Sequence, residues 1–252
     1  MGAAGGAATH PAPHILFLFA RRVDMLYGGG GQIFTYLLFL APAMLLAFWA
    51  QMKVKSSYAS AAKIPARMSG AAAAREILHR AGLYDIDIEQ VPGVLSDHYD
   101  PRHKVLRLSK DVYHGQSLAS VGIAAHEVGH AIQDARNYMP LVVRNAAVPA
   151  ANFGSSFSMI LLMIGAILGF PTLIWIGVLF FGAVVFFQIV NLPVEFDASA
   201  RAKDQLVELG IINDHELPHV RKVLSAAAMT YVAATLQSVM TLAYYASMLR
   251  RR

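Results

Sequence analysis

Three long stretches of this chain carry neither a charged residue nor a histidine, and they set its architecture. They lie between Asp24 and Lys53, between Arg144 and Glu195, and between Lys222 and Arg250. The core of the first, QIFTYLLFLAPAMLLAFWAQ (32–51), matches the roughly 20 residues a helix needs to cross about 30 Å of hydrocarbon. Pro42 would kink it, which membrane helices tolerate. The second stretch is too long for one crossing. Gly169-Phe170-Pro171 divides it into a predicted hairpin of helices over about 152–169 and 172–191. The third, 223–249, is softer: Ala227, Thr230, Ala234, Gln237 and Thr241 recur at helical spacing and give a small, polar face for neighbouring helices. The pattern therefore predicts a mainly α membrane protein with about four transmembrane helices. The first 31 residues hold only a short apolar run, Ile15–Ala20, and the GGGG at 28–31, and read as a loosely ordered leader.

Between the first and second spans the period changes. Residues 52–151 have the size of a small domain. SGAAAAREILHRAGL (69–83) predicts a helix capped by Ser69 and ended by Gly82. IDIEQV (86–91) and KVLRLS (104–109) alternate as strands do, with SDHYDPR (96–102) as a turn between them, so a short antiparallel sheet is expected. SLASVGIAAHEVGHAIQDAR (117–136) then predicts a long helix with Ser117 at its start. The expected whole is a small α+β domain over 52–151, the hairpin over 152–191, a polar segment over 192–222 and the last span.

Composition agrees with a membrane setting: 56% of residues are hydrophobic and 15% charged. The net charge of +5 has no basic, aromatic-studded segment behind it, so nucleic acid is not expected as a partner. Four spans put 52–151 and 192–222 on one side of the bilayer. That side carries Lys53, Lys55, Lys63, Arg67, Arg136, Arg144, Arg201, Lys203, Arg221 and Lys222 near the membrane. The other side has Arg21, Arg22 and the Arg250–Arg252 tail, so the domain is expected on the cytoplasmic face of a multi-pass cell-membrane protein. There is no cysteine, so a zinc ion would need His and carboxylate ligands.

The chemistry concentrates at AAHEVGHAIQ (124–133). On a helix His126 and His130 lie one turn apart on the same face and can share one metal, while Glu127 is rotated about 100° and can reach a water beside it. A second match to the pattern, His215-Glu216-Leu217-Pro218-His219, fails physically. A helix starting at Pro218 leaves His215 outside it and His219 inside, so the two cannot share a face. The third ligand is expected from NLPVEFDASARAKDQ (191–205), on the same side of the membrane. Pro193 would launch a helix carrying Glu195, an acidic residue at a membrane face that calls for a partner. Asp134 follows His130 by four residues, but one helix cannot easily wrap three ligands around a tetrahedral ion. Asp197 is expected behind the ligands or paired with Arg201.

QMKVKSSY, SDHYDPR with LRLS, AAHEVGHAIQ, the Arg144–Pro149 approach, NLPVEFDASARA and VLSAAAMTYVAATL are similar to the YugP-like neutral zinc metallopeptidases of bacterial membranes. The resemblance runs from about residue 50 to about 240. It implies a gluzincin-type H-E-x-x-H site, with one zinc ion on His126 and His130 and Glu127 as acid and base. A further similarity, to membrane peptidases of the HtpX type, implies Glu195 as the third ligand; EFDAS sets Ser199 where that motif carries an Asp.

The expected function is a membrane-embedded zinc metalloendopeptidase-like hydrolase. Zinc-activated water would cleave peptide bonds with Glu127 as general base, in membrane-associated or unfolded polypeptides near the lipid bilayer. His98, Tyr99 and Tyr138 are candidate donors to the oxyanion by residue type. The competing reading is a non-catalytic, zinc-stapled membrane scaffold or chaperone-like subunit. A closed structural site wants four protein ligands, and this sequence offers three.

Overall fold

The computed structural model describes the backbone of residues 12–250 and the side chains of 34–247. In chain order the elements are α1 (Ala12–Ala61), α2 (Gly70–Arg80), β1 (Asp87–Val91), β2 (His98–Asp100), β3 (Val105–Ser109), α3 (Lys110–Tyr113), α4 (Leu118–Ala135), α5 (Met139–Leu168), α6 (Pro171–Glu208) and α7 (Leu217–Arg250). The expected leader falls partly on residues 1–11, outside the described ones, and partly on α1, which is helical from Ala12.

Among the described residues, four helices are long and apolar enough to cross a membrane: Phe34–Ala61 of α1, α5, α6, and Leu217–Ser247 of α7. Phe48, Trp49, Ile167, Trp175 and Leu179 leave most of their side chains uncovered. In water such surface would be unfavourable; against lipid it is what a spanning helix presents. The helices pack in a row, α1 on α7, α7 on α6 and α6 on α5. α5 and α7 thus flank α6. Gly169, at φ 71°, closes α5 in the left-handed conformation, and Pro171 opens α6, as the Gly-Phe-Pro turn predicted.

The domain between the first two spans follows its sequence signals closely. Ser69 caps α2 by accepting from Ala72 N at 3.2 Å, and Ser117 caps α4 by accepting from Ser120 N at 3.2 Å. Its core joins Ile77 and Leu78 of α2, Leu106 and Leu108 of β3, and Val121 and Val128 of α4 to Leu206, Ile212 and Val220. The end of α6 and the start of α7 thus complete the domain, burying apolar surface that α2 and α4 alone would leave open.

Three expectations change. The sheet is mixed: β3 is central, parallel to β1 (Asp87 opposite Val105) and antiparallel to β2 (Tyr99 opposite Leu106). Three residues inside the expected turn, His98–Asp100, form the edge strand β2, so the chain reaches β3 from the opposite end. Finally, Pro193 does not start a helix; α6 runs straight through it from the membrane into the domain. Proline marks a helix start only where no longer helix surrounds it, and long membrane helices accommodate it.

Candidate metal centre

On α4 the two imidazoles stand edge to face, with ring centroids 4.8 Å apart. Both Nε2 atoms point at one oxygen: Glu195 Oε2 lies 3.3 Å from His126 Nε2 and 3.8 Å from His130 Nε2. The three ligand atoms all lie within 4.8 Å of one another. Glu195 is 5% exposed, and its Oε2 is buried without a hydrogen-bond partner. A buried carboxylate oxygen left so is costly, and a cation between it and the two imidazoles would satisfy it. The donor set, two imidazoles and a carboxylate with no sulfur, suits zinc with a position left open. By this test the residues fit the ion that the sequence implied.

A helix crossing brings α6 to α4. A Cβ on Gly129 would meet Ala198 O at 2.6 Å, so the glycine inside HEVGH lets the two backbones approach closely. Gln133, fully buried, then bolts the helices together. Its amide nitrogen donates to Val194 O and to Asp197 Oδ2, each at 2.8 Å. With that nitrogen spent, Oε1 accepts from His130 Nδ1 at 3.0 Å, which leaves His130 Nε2 with its lone pair on the Glu195 side. His126 Nδ1 is met by Ser199 Oγ at 3.2 Å, one turn past Glu195 on α6. Ser199 thus gives His126 Nδ1 a partner from α6. Asp197 does both things expected of it, touching Gln133 and holding Arg201 Nε at 2.5 Å.

Gln133→Ala should leave the protein folded but lower zinc affinity about 10–100-fold, as loss of such supporting bonds does. Chelator competition on the purified variant measures this; unchanged affinity would mean the His130 tautomer is held by something else.

Glu127, also buried, accepts from the Tyr99 backbone N–H on Oε2 at 3.2 Å, so the edge strand β2 aims the glutamate. Burial pushes its carboxyl up to about 7, against the lowering effect of His126. Burial, with the nearby His126, depresses His130 to about 4, so its imidazole is neutral at physiological pH, the form a metal needs.

These side chains line one cavity of about 530 Å³. Its other walls come from α5 (Leu141, Arg144, Asn145), α6 (Phe187, Gln188, Asn191) and α7 (Thr230, Tyr231, Ala234). Of the three oxyanion candidates, His98 lies in the cavity with Nδ1 on Ser96 O at 2.8 Å, and Tyr99 has its hydroxyl on Asp134 at 3.0 Å. Tyr138 is elsewhere, with Arg201 5.7 Å above its ring. His215 and His219 take no part in the metal group; α7 starts at Leu217, between them. Sequence reasoning missed Gln133, Arg144 and Tyr231. Gln133 could have been found from its spacing, three residues past His130 on the same face.

A family model described as "Putative neutral zinc metallopeptidase" matches residues 36–250. The chain belongs to this family. It is similar to "Putative membrane protease YugP" of Bacillus subtilis (strain 168), 49% identical over 208 residues that cover 81% of this chain and 92% of the relative. No solved structure matches it. The matched region holds the four apolar helices, the first of them from residue 36 on, and the His126, His130 and Glu195 group.

Proposed function

We propose that this chain is a zinc-dependent membrane endopeptidase whose metal is held by His126, His130 and Glu195 and whose general base is Glu127. The observation that supports this is the convergence of two imidazole nitrogens on the buried Glu195 Oε2, which has no hydrogen-bond donor of its own, with Glu127, a glutamate that no ligand role claims, next to His126 in the chain. When bound, zinc would polarise the scissile carbonyl and bring the pKa of water toward neutrality. Glu127, with Oε2 tied to the Tyr99 amide, has Oε1 free to take the proton of the attacking water and return it to the leaving amine. With the Tyr99 hydroxyl on Asp134 and Tyr138 elsewhere, His98 and Tyr231, both in the cavity, are the donors offered to the developing oxyanion.

The depth of the site supports a substrate at the bilayer surface. About 20 helical residues cross the hydrocarbon, so α6, counted from Pro171, leaves it near residue 190. Glu195 follows about one and a half turns later. The charge distribution supports the cytoplasmic side for the domain. Unfolded or membrane-attached polypeptides could reach the cavity there.

Zinc-loaded protein in detergent is expected to cleave an unfolded peptide pool, to stop when the metal is chelated and to recover on adding zinc back. Cleavage indifferent to chelation would sink the reading.

A further inference from the structure

Arg144 is a cation in the cavity with no direct ion-pair partner. It stands near the start of α5 at the edge of the charge-free stretch. Its Nε is buried without a hydrogen-bond partner, and among the described residues no carboxylate comes within ion-pair distance of its guanidinium. Three arginines elsewhere in the domain do have partners: Arg107 holds Asp100 and Glu89, Arg201 holds Asp197, and Arg75 donates to Ile86 O. An arginine at a membrane edge ordinarily extends its head to water or headgroups. Arg144 instead lines the cavity with His126, Glu127, His130 and Glu195, and its charge reaches His130. The carboxylates there have other work: Glu195 faces the metal position, Glu127 receives Tyr99 N–H, and Asp97 Oδ1 accepts from Ser109 N at 2.7 Å. A half-buried guanidinium that feels Glu195 only from beyond ion-pair distance, beside a metal position, fits an anion that arrives with the substrate.

We propose that Arg144 binds a carboxylate of the substrate and makes this site selective for peptides carrying one close to the scissile bond. The inference rests on the peptidase reading above. Asn145 and Gln188 offer amide donors in the same cavity, and Leu141, Phe187 and Ala234 offer apolar wall for a neighbouring side chain. An extended chain advances about 3.3–3.6 Å per residue, so a cavity of about 530 Å³ keeps the carboxylate within a few residues of the metal. The carboxylate has two sources, a free C-terminus or an Asp or Glu side chain, and guanidinium chemistry serves both.

The test uses the full-length, zinc-loaded Glu127→Gln variant in detergent, so that peptides bind without being cut. Four fluorescent probes share one apolar sequence: C-terminal amide, free C-terminal acid, amide with internal Glu, and amide with internal Gln. The acid or the Glu peptide should bind at least tenfold more tightly than its neutral twin. Adding Arg144→Gln should erase that ratio while zinc content stays near one per chain, and adding Arg144→Lys should restore part of it. Preference for the free acid assigns the C-terminus, and preference for Glu assigns the side chain. Equal binding of all four probes, with or without Arg144, overturns the proposal and leaves the peptidase reading standing. If no probe binds although zinc is held, the peptidase reading fails and takes the proposal with it. Binding to phosphatidylglycerol vesicles over phosphatidylcholine that depends on Arg144, without peptide selectivity, makes it a lipid anchor and also overturns the proposal.

Discussion

Glu127→Gln should keep zinc near one per chain and lose peptide cleavage by about 10²–10⁴-fold, the range that general-base catalysis contributes. The amide is the same size, and its oxygen can still accept the Tyr99 N–H now made to Glu127 Oε2. What it cannot do is take a proton from water. Glu195→Ala should do the reverse, dropping zinc itself, because two imidazoles remain of a group of three and the carboxylate facing both Nε2 atoms is gone. Metal analysis beside cleavage rates reads both outcomes. A scaffold with a structural zinc would tolerate Glu127→Gln, so a variant indistinguishable from wild type in cleavage would favour that class. Zinc retained at full stoichiometry in Glu195→Ala would remove α6 from the ligand set.

The parts of this molecule that were legible in the sequence are those fixed by local pattern. Charge-free length predicted the spans, because hydrocarbon leaves a backbone few alternatives to helix. Ser69 and Ser117 declared two helix starts by their capping chemistry, and His126 and His130 declared a shared face by spacing. Glu195 stood out by its position at a membrane edge, and it lies beside both imidazoles; the contact of Ser199 with His126 was not read from the sequence. Pairing between distant segments was less visible. Nothing in IDIEQV or KVLRLS says that they run parallel, since strand direction depends on the path of the chain between them. Arg144 and Tyr231 reach the cavity from α5 and α7, far apart in sequence and adjacent only because both helices flank α6. The continuity of α6 through Pro193 was hidden for another reason: proline favours a helix start over a helix interior, and the local sequence does not show that a long membrane helix will carry on through it.

Gly129→Ala should damage the metal site without touching a ligand. In an ordinary helix the exchange would stabilise, by about 1 kcal/mol of helix propensity. Here the new Cβ would sit 2.6 Å from Ala198 O and 3.1 Å from Ala198 Cα, atoms of the α6 backbone that cannot swing aside like a side chain. The helices must part, by an amount comparable to the roughly 0.2 Å tolerance of a metal–ligand bond or larger. Glu195 then retreats from both imidazoles, and the Gln133 bonds to Val194 O and Asp197, each 2.8 Å, are stretched in the same movement. Zinc affinity is expected to fall by more than the Gln133→Ala loss, because one displacement withdraws both a ligand and the support of another. Gly182→Ala, in the lipid-facing stretch of the same α6, is the control: its Cβ meets nothing within 4 Å, so zinc binding should be unchanged. Chelator competition on the three proteins decides it. If Gly129→Ala binds zinc as wild type does, the close crossing of α4 and α6 is packing only, and the position of Glu195 must be set from further along α6 or from α7.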